Sequence, residues 1–237
     1  MAMLVSGSGT TMEAVIKACK DGRLQNVEPG LIISSNPDAG AISKAKALDI
    51  NEKDILIIDP RKFKTQDECG KMMLEEFKKR EINFIAHYGF LRLTPENVVK
   101  EFEGRIINQH NGPLDTGKPD FGGPGMYGMR VHETRLEFVR RVNRDFWTEA
   151  TTHYATLEFD KGKVVKRKQV PILPNDTAEI LAARVLPIEH EVQIAALQDF
   201  ANGTVEEFNR EIPLVMLNEE KILQECKLNA IKLYPNG

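Results

Sequence analysis

A carboxamide, an imidazole and a carboxylate stand at Asn108, His110 and Asp160, and together they can serve acyl transfer. A neutral amine attacking an acyl carbon builds negative charge on the carbonyl oxygen and positive charge on nitrogen. Catalysis therefore needs a donor at the oxygen and a route for the proton. Asn108 supplies a donor that does not titrate. His110 is the side-chain type that changes charge near neutral pH, so it can donate and relay protons. A carboxylate beside it favours the imidazolium and orients the ring, a role open to Asp160. Asn108 and His110 are two apart, and on an extended segment residues two apart point the same way while Gln109 faces the other side. Taken one at a time, the three read more readily as a strand-end cap, a half-buried histidine and a hairpin-turn residue, and only their combination points to chemistry.

A second constellation opens the chain. Ser6-Gly7-Ser8-Gly9-Thr10-Thr11 follows a short apolar run and precedes a helical pattern. Backbone N–H groups and the helix dipole converge on an anion at such a place, and a phosphate suits it. The same turn also occurs with no ligand. Met12 stands where the dinucleotide fingerprint has its third glycine, and the second strand ends in Ser34-Ser35-Asn36 without an acid for a ribose diol. No Gly-Lys-Ser/Thr follows either, so a P-loop is excluded and a phosphomonoester on a small substrate remains.

The elements that must position these residues follow from periodicity. Apolar runs at 3–5, 31–33, 55–58, 84–86 and 105–107 alternate with helical spacing at 12–20, 40–48 and 67–80. Strands alternating with helices predict a parallel sheet. The stretch 104–107 reads as a buried strand, which puts Asn108 and His110 at a carboxyl end, where open α/β sheets bind ligands. Residues 117–128 hold five glycines and two prolines, which is loop chemistry, and a loop that long inside a compact domain is expected to act as a lid. A helix is predicted over 132–144, strands over 153–158 and 164–170 around the turn at 160–162, and a helix from a capped start at 175–179 to about Phe200. The last thirty or so residues read as a strand, a helix and a polar tail.

Bulk properties bound the rest. With 237 residues, 41% hydrophobic and 28% charged, the chain can bury a substantial core. A formal charge of −3 argues against a polyanion-binding surface, leaving nucleic acid aside despite the local basic run 161–168. Cys19, Cys69 and Cys226 are odd in number and lack C-x-x-C spacing, which excludes a disulfide framework and a structural zinc site and fits a reducing cytoplasm. No apolar run reaches membrane-spanning length.

Taken in order, these motifs resemble the glycinamide ribonucleotide formyltransferases, which move a formyl group from 10-formyltetrahydrofolate to an amine in purine synthesis. The carriers are the 6–11 turn, Ile33-Ser-Ser-Asn-Pro-Asp-Ala39, Gly89-Phe-Leu-Arg-Leu93, Gly104-Arg-Ile-Ile-Asn-Gln-His110, His153-Tyr154 leading to Asp160, and Ala183-Arg-Val185 followed by Glu189-His190. The resemblance implies one open, mostly parallel twisted α/β sheet with helices on both faces, Rossmann-like. It spans residues 1–203 as a formyltransferase domain, with a strand-helix extension at 204–237 packed on the same domain. It implies Asn108 and His110 as the formyl-oxygen and proton-handling pair, supported by Asp160. Gly9, Thr10 and Thr11 would hold the ribonucleotide phosphate, and Glu189 would receive the amine. Leu91, Arg92 and Leu93, with Asn108, would line the folate pocket. The implied co-substrate is 10-formyltetrahydrofolate with no metal, the setting cytoplasmic, and the protein a monomer or homodimer with small-molecule partners and no membrane.

The chain departs from the family after His110, where Asn111-Gly-Pro-Leu114 and the glycine-rich loop replace the usual Pro-Ser-Leu-Leu-Pro. It departs again at Asp160-Lys-Gly-Lys163, which adds positive charge. Two other readings share the motifs: a 10-formyltetrahydrofolate deformylase, ranked lower because those enzymes carry a domain ahead of the first strand and only two residues precede Met3 here, and a non-catalytic folate- or nucleotide-binding relative.

Overall fold

A computed structural model describes residues 1–237. The strands are β1 (Ala2–Val5), β2 (Leu31–Ser34), β3 (Ile55–Ile57), β4 (Ile85–Tyr88), β5 (Ile106–His110), β6 (Trp147–Tyr154) and β7 (Val164–Pro171). The helices are α1 (Thr10–Lys20), α2 (Gly40–Ala47), α3 (Gln66–Lys79), α4 (Glu96–Glu101), α5 (Met129–Val142), α6 (Ala178–Asn202) and α7 (Glu220–Leu233). The strands form one open seven-stranded sheet in the order β3-β2-β1-β4-β5-β6-β7. The chain divides into two compact units. One comprises Met1–Gln109, Tyr154–Glu158 and Gln193–Val205, the other His110–His153, Phe159–Val192 and Glu206–Gly237.

In the first unit β1 pairs in parallel with β2 on one side and β4 on the other, and β4 pairs in parallel with β5. Successive strand residues feed opposite faces, as a period of two requires. Met3, Val5, Ile32, Ala86 and Ile107 pack with Met12, Val15 and Ile16 of α1 and with Ala41 and Ala45 of α2. Leu4, Leu31, Ile33, Ile85 and Ile106 pack with Cys69, Met73 and Phe77 of α3 and with Val98 of α4. Both faces being covered, the strands read as continuous apolar runs rather than as alternations, which is why they were legible. The chain leaves β1 toward β2 and later returns as β4 on the other flank. That reversal opens a crevice at the carboxyl ends of β1 and β4.

In the second unit β6 and β7 are antiparallel, with an irregularity at Thr152/His153. The predicted strand at 153–158 is corrected: β6 runs Trp147–Tyr154. The sequence hides it because, apart from Ala150, its buried residues are polar, Thr148, Glu149, Thr151, Thr152 and His153. Two of them are paired across long stretches of sequence: Thr151 Oγ1 donates to the Gly112 carbonyl at 2.8 Å, and Glu149 pairs with Arg167 and Arg210. Phe121, Leu136, Phe138, Val139, Ala150, Val170, Leu181, Val185, Leu223 and Cys226 form its apolar core. In the last segment the expected helix is α7. In place of the expected strand there is a single bridge pairing Phe208 with Val164. The basic run spans the turn ahead of β7 and its first half: Lys163 just before the strand pairs with Glu207, and Arg167 and Lys168 on it pair with Glu149 and Glu191. No helix is long and apolar enough to cross a membrane.

Phe77 is 1% exposed and meets Phe102 edge-on at 5.3 Å between ring centres. Phe77→Ala is expected to cost about 3–5 kcal/mol, lowering the urea midpoint of unfolding at constant slope. A midpoint within error of the parent would show that α3 does not anchor this face.

Candidate active site

β5 carries Asn108 half-buried and His110 only 4% exposed at its carboxyl end. Asp160 sits in the connection from β6 to β7 with φ of 58°, left-handed backbone that Asp tolerates better than most residues. Its side chain is buried, and its Oδ2 lies 3.7 Å from His110 Nδ1. A second imidazole, His153 of β6, approaches Oδ1 through its Nε2 at 3.3 Å, and the Gly123 N–H donates to Oδ2 at 2.9 Å. The carboxylate is thus held from three sides. His110 Nε2 is buried and accepts or donates no hydrogen bond within the protein.

Two close approaches shape this cluster. A Cβ on Gly122 would fall 2.6 Å from Asp160 Cβ, so the glycine-rich loop lies against the carboxylate only because that residue has no side chain. A Cβ on Gly112 would meet Val131 Cγ1 at 2.4 Å and crowd His110 Nε2 at 3.3 Å, so glycine keeps the space beside that nitrogen clear. The loop is anchored by hydrogen bonds along its length. Gly122 N–H donates to Asp120 at 3.1 Å, Lys227 to the Gly122 carbonyl at 2.7 Å, Arg130 to the Gly125 carbonyl at 3.0 Å and Asn111 to the Gly128 carbonyl at 3.0 Å.

Burial competes with the carboxylate for the charge of the imidazole. Burial disfavours the imidazolium of His110 and holds its pKa below the ordinary histidine value, outweighing the upward pull of Asp160. His110 is therefore neutral at neutral pH. Burial works against Asp160 ionisation as well, but His110, the hydrogen bond from His153 and the Gly123 N–H together carry its pKa well below the usual carboxylate range. His132 of α5, which receives a hydrogen bond from Asn111 at 2.8 Å, is pushed by burial down to about 4 and is also neutral. A neutral imidazole whose Nδ1 faces a fixed carboxylate presents Nε2 as a proton acceptor, and the imidazolium it forms is stabilised where it stands. His110, Asp160 and His153 do not make a group that could hold a metal ion.

The other expected residues lie as follows. In the first unit Gly9 caps α1 with φ of 70°, Thr10 is half-buried and Thr11 is buried. The first-turn N–H groups of that helix have no intrahelical acceptor and are available to an anion. Leu91, Arg92 and Leu93 follow β4, and the Leu91 N–H donates to Ser6 Oγ at 2.9 Å, tying this segment to the glycine turn. Leu91 and Leu93 are exposed, while Arg92 lies 3.7 Å from Asp59. Glu189 belongs to the second unit, on α6, and is 7% exposed, so it is no solvated surface charge. The residue pattern did not mark His153, Gly122, Gly123 and Lys227 as parts of the Asp160 environment, or Gly112 as the neighbour of His110. His153 stood inside a matching motif but offered no apolar neighbours to mark it as buried, and the glycines looked like any loop glycines.

The model of the family described as Formyl transferase matches residues 1–197. A chloroplastic phosphoribosylglycinamide formyltransferase of Arabidopsis thaliana is 28% identical over 216 residues, covering 91% of this chain and 70% of that protein. The trifunctional purine biosynthetic protein adenosine-3 of Gallus gallus is 31% identical over 87% of this chain, which spans only 19% of that longer protein. Among solved structures, glycinamide ribonucleotide transformylase 1 from Symbiobacterium toebii superposes with a TM-score of 0.73 at 27% identity, covering 85% of this chain and 87% of that one. With a family match over most of its length and the buried His110–Asp160 pair at a strand's carboxyl end, the chain belongs to the formyl transferase family.

Proposed function

We propose that the chain transfers a formyl group from 10-formyltetrahydrofolate to the primary amine of glycinamide ribonucleotide. The observation that carries this reading is His110: a buried, neutral imidazole backed by Asp160, with Nε2 unpartnered and kept clear by Gly112, two residues along the strand from the Asn108 carboxamide. The amine attacks the formyl carbon, and the Asn108 amide donates to the oxygen that becomes anionic. His110 Nε2 takes the proton that the attacking nitrogen sheds, while Asp160 stabilises the imidazolium. Collapse of the tetrahedral adduct breaks the bond to the folate nitrogen, and His110 returns the proton to it. Protons and electrons balance without a metal or an oxidant.

In the same reading, the N–H groups of Gly9, Thr10 and Thr11 hold the phosphate at the start of α1, and Glu189 receives the substrate amine. Leu91, Arg92 and Leu93, with Asn108, line the folate pocket. The exposure of Leu91 and Leu93 supports this, because apolar side chains on a loop tied to the glycine turn suit a flat heteroaromatic ring.

The direct test incubates the protein with 10-formyltetrahydrofolate and glycinamide ribonucleotide and follows tetrahydrofolate release. Product is expected only when the amine is present, and His110→Ala should lower the rate by roughly 10²–10⁴-fold. Formate release without any acceptor would point to a hydrolase, and undiminished transfer by the variant would remove His110 from the mechanism.

A histidine-ring NMR titration checks the charge state. Asp160, Asp120, His153 of β6, His132 of α5 and Lys227 of α7 all face His110. Burial dominates them, so its midpoint is expected below the ordinary value of about 6.5. In Asp160→Asn, which removes the largest upward influence, the midpoint should fall further. A parent midpoint above the ordinary value would mean that the carboxylate outweighs burial.

A further inference from the structure

The family match ends at residue 197, yet α7 reaches the carboxylate that backs His110. Lys227 Nζ donates to the Gly122 carbonyl at 2.7 Å, and the N–H of that same peptide group, on Gly123, donates to Asp160 Oδ2 at 2.9 Å. Oδ2 is also the oxygen facing His110 Nδ1. One peptide plane therefore joins an ammonium to the carboxylate. The cation polarises the carbonyl and strengthens the N–H as a donor on the far side. The arrangement is close, since a Cβ on Gly122 would fall 2.6 Å from Asp160 Cβ and 3.1 Å from Oδ2.

The platform beneath Lys227 is firm. Leu223, Cys226 and Ala230 bury one side of α7, and Leu223 and Cys226 share a core with Leu136, Phe138 and Val139 of α5. Beyond the helix, Arg130 donates to the Tyr234 and Pro235 carbonyls at 2.8 and 2.7 Å. Lys227 itself is half-buried, and its partners face it from the loop, not from solvent.

We propose that Lys227 is a positioning residue for formyl transfer, holding the Asp160 carboxylate in place behind His110 through the peptide between Gly122 and Gly123. The assignment rests on the roles proposed above for His110 and Asp160. A loop staple with no part in the reaction would have the same contacts but different consequences, which separates the two.

The test compares the full chain with Lys227→Met and Lys227→Arg. In Lys227→Met, kcat should drop roughly ten- to a hundredfold, as small misplacements of catalytic groups do, while KM for the acceptor stays within about twofold. Lys227→Arg, which keeps a cationic donor, should recover most of the loss. The Gly123 amide, followed by ¹⁵N NMR, should exchange faster with solvent in Lys227→Met and retain its protection in Lys227→Arg. A lower melting temperature with unchanged kcat would make Lys227 a stability staple and overturn the proposal, as would an unchanged Gly123 amide. Should Lys227→Met fail to fold, Lys227→Gln keeps a neutral donor and is held to the same comparison. If the parent transfers no formyl group, the function proposed above fails. The Gly123 amide and the His110 ring resonances then still report whether Lys227 holds the carboxylate.

Discussion

An ionised carboxylate cannot be buried without partners. Stripping an ion of water costs several kcal/mol even after the protein relaxes, and the second unit is organised around meeting that cost at Asp160. Its two oxygens face two imidazoles and one backbone N–H. Each partner constrains a different element: His110 the end of β5, His153 the strand β6, and Gly123 the glycine-rich loop. The irregular pairing at Thr152/His153 and the left-handed backbone of Asp160 fall where those elements converge on one side chain. Strain and irregularity gathering at one point is what a functional constraint produces.

The same burial sets the chemistry. Water excluded from the cluster leaves His110 neutral, and a neutral imidazole is a base, whereas the imidazolium expected from a carboxylate neighbour alone would be an acid. Asp160 stays ionised because the electrostatic pull of His110, with the hydrogen bonds from His153 and the Gly123 N–H, outweighs desolvation. Two titratable groups side by side are thereby pushed into complementary states, the arrangement general base catalysis requires. The glycine-rich loop after His110 supplies Gly122 and Gly123 to this cluster. In this chain the loop is part of the carboxylate's support.

The first unit depends on a different constraint. A parallel sheet covered on both faces must send alternate residues into two separate cores, and the order of its strands leaves a crevice where the chain reverses direction. The glycine turn after β1 and the segment after β4 both open at that crevice and are joined by the hydrogen bond from Leu91 to Ser6. Ser6 also shares a hydrogen bond with Ser35 at 2.7 Å, so the ends of the first two strands and the loop after the fourth are joined through one side chain.

Much of this was written in the order of residues. Apolar runs such as 31–33 and 105–107 announce strands because both their faces are buried. Gly9 announces a helix start, and Asn108 with His110 announce a strand-end site, because period and spacing are local properties of a chain. Polar β6 was misplaced because its threonines, Glu149 and His153 are buried by partners far away in sequence, and no local pattern records that. The same limit applies to charge: the sequence by itself determined that an imidazole and a carboxylate are present and in what order. Only the tertiary structure decided that His110 is neutral, that Gly123 donates to Asp160 and that Lys227 meets the Gly122 carbonyl behind it. Protonation and hydrogen bonding depend on desolvation and on contacts between residues up to 105 apart, and these arise when the chain folds.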